Sequence, residues 1–416
     1  MKKFNKYWPF DPQQPASPDF FVGRADKIDK IFDLANEAMD EKTKIAQIIG
    51  QRGIGKTSLA HFCKHKLQKE LQGIGFHIYL GGDAGAKNDH DFFTKVIEQM
   101  VEESAFVQSK RLLQRILEFL SKYVKVTIPV SKLQIEVANI SEHPEKPIPK
   151  DTIEFFNFIC DFSNHIFANS NSGLIILILD DIESIAETPF FAQFLKELVD
   201  KNFTSNYQHS RLLVIPCCSL MSFTSIVNYN PSARRVINQI KIGKLNNKDV
   251  THFFDRAFSK LSYNLDKEAM KNLVFFSCGC PRLMHILGQA VIYTSHKSPS
   301  KPSLLGTEDI FHSVIKASEI AGEEFGIKEE LESFARDADN KYVLEKVIEL
   351  EDDNFIRKDL VSYGQAPNVD SLIDRLLSLN TIEFDPKTSK YTFINRLIML
   401  HIQHIFGDIL NEEIEE

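Results

Sequence analysis

The chain has 416 residues, with 49 Lys plus Arg against 57 Asp plus Glu and a formal charge of −8. That length implies two or three domains, and 43% hydrophobic with 25% charged residues excludes wholesale disorder and fibrous repeats. The longest apolar run, Leu174 to Leu179, is strand-sized and excludes a membrane span, while the start Met1-Lys2-Lys3 lacks the apolar core of a secretory signal, so a cytoplasmic protein is expected.

Residues 1–18, with Pro9, Pro12, Pro15 and Pro18, read as an extended lead-in. Apolar residues in Asp26 to Met39 are spaced for one helix face. Lys44 to Gly50 reads as a strand entering a glycine-rich loop, Thr57 to Leu71 as a helix and Gly75 to Leu80 as a second strand. That is the opening of a parallel α/β sheet. A helix over Phe106 to Tyr123 and a β-hairpin near 124–138 follow, with the cations Lys110, Arg111, Arg115, Lys122, Lys125 and Lys132 gathered between 110 and 132.

Thr152 to Phe167 reads as a buried helix, and Gly173 to Leu179, Arg211 to Cys218 and Ile237 to Ile242 as further strands. Asn247 to Tyr293 reads as helical, interrupted at Cys278-Gly279-Cys280-Pro281. The last region reads as three helices (Asn340 to Leu350, Ile356 to Ser362, Val369 to Leu379) and two strands (Thr381 to Phe384, Tyr391 to Ile394), the order of a winged helix-turn-helix. The expected domains are an α/β domain over 19–245, a helical domain over 246–325 and a winged helix over 326–416.

Gly50-Gln51-Arg52-Gly53-Ile54-Gly55-Lys56-Thr57 fits GxxxxGK[ST] between a strand and a helix. Glycines let successive N–H groups curl around an anion, and the following helix adds its positive dipole end. Lys56 is placed for the β- and γ-phosphates, and Thr57 for Mg²⁺. The strand ending Asp180-Asp181-Ile182-Glu183 supplies the second element: Asp180 for the metal and Asp181 to polarise a water. Asp181 stands where many motor ATPases carry Glu, and its shorter reach predicts slow turnover. The six cysteines show no metal-type spacing, Cys217-Cys218 in its apolar strand-like run reads as a pair of buried thiols, and His61 with His65 lacks a third ligand.

Phe20-Phe21-Val22-Gly23-Arg24, Gly50 to Leu59 and Asp180-Asp181 together resemble the AAA+/STAND superclass of P-loop ATPases, most of all the archaeal-type, origin-recognition and initiator-like members with a C-terminal winged helix. The resemblance implies ATP and Mg²⁺ as cofactors. It places Phe21, Val22, Gly23 and Arg24 against adenine, adds Ser58 to the phosphate loop, and puts Ser219 at the first sensor position. Pro281 matches the family's GxP turn, Arg282 the sensor arginine of the lid, and Arg234 or Arg235 an arginine finger donated to a neighbouring subunit. Arg234 and Arg235 equally fit solvated helix residues, Arg282 a lid salt bridge, and Ser219 a strand terminus.

The resemblance implies self-association through nucleotide-bridged interfaces. No effector or repeat array is recognisable, so a separate effector or sensor protein is expected, in a bacterial antiphage system of two or three components. The competing reading is an initiator- or transposition-type ATPase assembling on duplex DNA through the Lys110–Lys132 region. The expected recognition helix, with Asp370, Asp374 and Arg375, is poorly supplied with cations for that task.

Overall fold

The apolar runs of the first half are the strands of one parallel sheet in the computed structural model. The structure describes residues 8–40, 42–81, 89–126, 144–168, 173–204, 210–297, 304–323, 327–361, 366–379 and 381–415. Strands β1 (Thr43–Ile49), β2 (Ile74–Tyr79), β3 (Ile175–Asp180), β4 (Leu212–Cys218) and β5 (Ile237–Lys241) pair in the order β2-β3-β4-β1-β5, all parallel. β3 and β4 are buried at every residue, as continuous apolar runs between two helical layers must be. Because every strand runs the same way, the loop after β1 and the acids ending β3 emerge at one carboxyl edge, where open α/β sheets place their ligands.

Nine helices accompany this sheet among the described residues: α1 (Ala25–Met39), α2 (Lys56–Glu70), α3 (Asp89–Ser104), α4 (Lys110–Leu120), α5 (Thr152–Phe167), α6 (Glu183–Ala186), α7 (Pro189–Thr204), α8 (Leu220–Tyr229) and α9 (Ala233–Val236). Phenylalanines join α3, α5 and α7: Phe93 stacks on Phe155 with centroids 5.0 Å apart, and Phe92 meets Phe194 edge-on at 5.0 Å. The helix expected over Phe106 to Tyr123 is shorter, because Ser109 caps α4 by accepting the Leu112 N–H. The hairpin expected near 124–138 lies, apart from its first residues, outside the described residues.

β2 is an edge strand, and side chains of α3 cover its outer backbone groups. Glu103 Oε2 accepts the His77 N–H at 3.2 Å, Gln99 Oε1 accepts the Tyr79 N–H at 2.7 Å, and Gln99 Nε2 donates to the Tyr79 carbonyl at 2.9 Å.

Contacts divide the chain into two compact units, residues 24–243 and residues 1–23 with 244–416. In the second, the lead-in is anchored: Phe10 is fully buried, 4.9 Å from the Phe258 ring. Helices α10 (Asn247–Lys260), α11 (Lys267–Ser277), α12 (Pro281–Lys297) and α13 (Thr307–Glu323) accompany a short parallel pair, β6 (Asn264–Leu265) with β7 (Leu304–Leu305). Then come α14 (Ile327–Ala335), α15 (Lys341–Ile348), β8 (Asn354–Phe355), α16 (Ala366–Ser378), β9 (Ile382–Asp385), β10 (Lys390–Phe393) and α17 (Arg396–Glu415). β8, β10 and β9 form an antiparallel sheet, consistent with a winged-helix domain.

Of the sequence-based helix over Ile356 to Ser362, the described residues, 356–361, form a single 3₁₀ turn, Arg357–Asp359. Phe355 is drawn into β8 opposite Tyr391, and Asp359 Oδ2 accepts the Ile356 N–H at 2.7 Å, closing the chain into a tight turn. Helix α17, absent from the sequence reading, buries Leu397, Ile398, Ile402 and Phe406 in the core shared with α13 and α15.

Candidate functional site

The glycine loop joins β1 to α2 with Gly53 at φ 76° and Gly55 at φ 90°, left-handed conformations that side chains other than glycine rarely adopt. Lys56, the first residue of α2, folds over this loop and donates from Nζ to the Gly50 carbonyl at 3.1 Å and the Gln51 carbonyl at 3.2 Å. Arg24 braces the loop from outside. Its Nη2 donates to the Ile54 carbonyl at 2.8 Å and to the Gly243 carbonyl at 2.9 Å, tying the entry to α1 to both the loop and the chain beyond β5.

Thr57 and Asp180 meet across 123 residues of sequence, Thr57 Oγ1 donating to Asp180 Oδ2 at 2.9 Å. Asp180 is buried and also accepts from His77 Nε2 at 3.1 Å. Burial alone would raise its carboxyl, but the His77 and Thr57 bonds outweigh that and hold it below the ordinary carboxylate range. An ionised carboxylate beside a hydroxyl is a hard-oxygen donor set suited to Mg²⁺, and the glycine loop with its lysine suits polyphosphate. The residues present fit both groups.

The second acid faces elsewhere. Asp181 has φ 55°, and its Oδ2 accepts from the Tyr79 hydroxyl at 2.8 Å. That bond, more than burial, pushes the Tyr79 phenol up. Glu183, unremarked in the sequence as a site residue, links β3 to β4: its Oε1 accepts the Ser219 N–H at 3.0 Å. Burial first, and the adjacent Asp181 carboxylate second, push the Glu183 carboxyl up. Ser219 caps α8, its Oγ accepting the Ser222 N–H at 3.1 Å.

Arg234 and Arg235 are exposed on α9, just before β5. Phe21, Val22 and Gly23, like Pro281 and Arg282, belong to the other unit, where Gly279 adopts φ 66° and Pro281 opens α12. Among the described residues no three His, Cys, Asp or Glu side chains gather as a metal site, and all six cysteines are free thiols. His77, Tyr79 and Glu183 are what sequence reasoning missed. The available signal was the pair of polar side chains two residues apart at the carboxyl end of an otherwise apolar strand.

The cations assigned to DNA are partly committed. Lys110, Arg111 and Lys125 are exposed, but Arg115 donates to the His165 carbonyl. Arg375, the one arginine of α16, pairs with Glu330 at 3.2 Å and lies over the Phe334 ring at 5.6 Å. No helix among the described residues is long and apolar enough to cross a membrane.

No protein-family profile matches the sequence, and no curated protein matches it in sequence. Solved structures do match in fold. The Aeropyrum pernix ORC2 protein, in ADPNP–ADP complexes, superposes with a TM-score of 0.50 at 12% identity, over 96% of this chain and 98% of that one. Cdc6p from Pyrobaculum aerophilum (TM-score 0.47, 13% identity, 97% and 98% covered) and the Aeropyrum pernix ORC1 protein in complex with DNA (TM-score 0.45, 12% identity, 95% and 95% covered) are also similar. From sheet order, phosphate loop and this likeness, the chain has the fold of an origin-recognition-like AAA+ P-loop ATPase.

Proposed function

We propose that the chain is a nucleotide switch: it binds ATP with Mg²⁺, hydrolyses it slowly, self-associates through nucleotide-bridged contacts and controls a separate protein. The observation that carries this reading is the Thr57–Asp180 hydrogen bond at 2.9 Å, which sets the loop's hydroxyl beside an ionised carboxylate at the sheet's carboxyl edge. Thr57 and Asp180 would hold Mg²⁺, which supplies neutralisation of charge on the phosphates. Lys56 would exchange its bonds to the Gly50 and Gln51 carbonyls for phosphate oxygens, a rearrangement confined to one side chain.

Slow hydrolysis follows from Asp181, the acid proposed to polarise water, being engaged by Tyr79. Self-association is supported by the exposure of Arg234 and Arg235 on α9, where a neighbouring subunit can be reached. A role in a multi-component bacterial antiphage system extends the sequence resemblance, and recovery of a stoichiometric partner from the native host tests it. The duplex-DNA reading is less favoured, because Arg375 and Arg115 are occupied within the fold.

Titration calorimetry with a non-hydrolysable ATP analogue and Mg²⁺ tests the central claim. Saturable binding by the wild type and its loss in Lys56→Ala are expected. Equal binding by both proteins would overturn it.

A further inference from the structure

His77 lies 103 residues before Asp180 in sequence and outside either phosphate motif, yet its ring nitrogen Nε2 is 3.1 Å from Asp180 Oδ2. An ionised carboxylate can only accept, so Nε2 carries the hydrogen. Neighbours on α2 and α3 hold this residue in place. Its backbone N–H donates to Glu103 Oε2 at 3.2 Å, and that same oxygen is held by Lys64 Nζ of α2 at 3.0 Å. The half-buried His61 ring, also on α2, meets the His77 ring edge-on with centroids 4.4 Å apart. His61 stays neutral, since burial, more than the neighbouring His77, pushes it down to about 3, so the two rings do not repel. The donor to Asp180 is therefore anchored from α2, the helix that carries Lys56 and Thr57, and from the edge strand β2.

We propose that His77 is a positioning residue that fixes the Asp180 carboxylate for a Mg²⁺-bound nucleotide. This rests on the reading of Thr57 and Asp180 given above. Thr57 and His77 both donate to Oδ2, so the carboxylate is held from two sides. When the Thr57 hydroxyl turns to a cation, His77 keeps the carboxylate oriented. Outer-shell donors of this kind typically cost about 10- to 100-fold in metal affinity when removed.

The test uses the full chain and a non-hydrolysable ATP analogue, titrated without Mg²⁺ and then at increasing Mg²⁺. His77→Leu is expected to raise the Mg²⁺ concentration for half-maximal tightening about tenfold while leaving Mg²⁺-free affinity within about twofold. His77→Gln, whose amide nitrogen can occupy the place of Nε2, should restore most of the loss. In an Asp180→Asn background, His77→Leu should add nothing further. An unchanged Mg²⁺ dependence in His77→Leu, or an equal loss in His77→Gln, would overturn the positioning role while leaving the ATPase reading intact. Wild-type protein that binds no analogue at all would overturn both.

Discussion

The Tyr79 hydroxyl donates to Asp181 Oδ2 at 2.8 Å, so the edge strand of the sheet restrains the second acid of the β3 terminus. Tyr79 pairs in register with Asp180, one residue before its hydrogen-bond acceptor, and the left-handed backbone of Asp181 turns the carboxylate toward β2. A hydrogen bond to a charged group contributes about 1.5–3 kcal/mol. Tyr79→Phe should therefore release Asp181 and raise Mg²⁺-dependent ATP turnover about tenfold, with nucleotide affinity unchanged. Phosphate release measured at saturating ATP decides it; equal or lower turnover in the variant would show that Asp181 is not restrained by this bond.

Arg24 separates two accounts of the segment before α1. A contact with adenine would make it a determinant of base preference. Its bonds to the Ile54 and Gly243 carbonyls instead make it a brace of the phosphate loop. Arg24→Ala should weaken ATP and GTP analogues alike, by about tenfold for a loss of about 1.4 kcal/mol. A loss confined to the adenine nucleotide would favour the base contact.

The exposed pair on α9 makes a different kind of prediction, because a finger acts on another subunit's nucleotide. Replacing Arg234 and Arg235 by Ala should leave ATP binding intact and remove the rise in specific activity with protein concentration. Trans-acting arginines contribute about 10³–10⁵ in rate where they operate. Activity per chain that is independent of concentration in both proteins would rule out the finger.

The parts legible in sequence were those written locally. The phosphate loop is eight consecutive residues with a strand before and a helix after, and Asp180-Asp181 follows an uninterrupted apolar strand. Buried Cys217 and Cys218 likewise follow from lying in such a strand. His77 and Tyr79 were not legible because their acceptors lie 103 and 102 residues away, and only the parallel pairing of β2 with β3 brings them together. The turn at Arg357–Asp359 escaped for the opposite reason: a short apolar-and-basic stretch fits a helix by pattern, but its neighbour Phe355 gains more as a strand against β10. Arg375 shows that composition alone misleads about binding, since a lone arginine on a helix can be spent on Glu330 and Phe334.

In the second unit His285 supplies a pH test of the anchored lead-in. Its ring is buried against Phe253, and its Nδ1 accepts the Asp11 N–H at 3.1 Å, an acceptor role that requires that nitrogen to be unprotonated. Burial pushes it from 6.5 down to about 4, with the Asp11 charge opposing only in part. Above pH 6.5 neither the folded nor the unfolded chain protonates it, and it contributes no pH dependence. As pH falls from 6.5 toward 4 the unfolded chain binds a proton that the folded one refuses, so stability declines by about 1.4 kcal/mol per pH unit, to about 3 kcal/mol at the lower end. Urea unfolding at pH 7 and pH 4.5 should show this loss in the wild type. His285→Gln, which keeps an acceptor but cannot be protonated, should be flatter over the same interval by about 2–3 kcal/mol. Parallel pH profiles for the two proteins would mean that His285 is already solvated in the folded chain and that the Asp11 contact does not hold the lead-in in place.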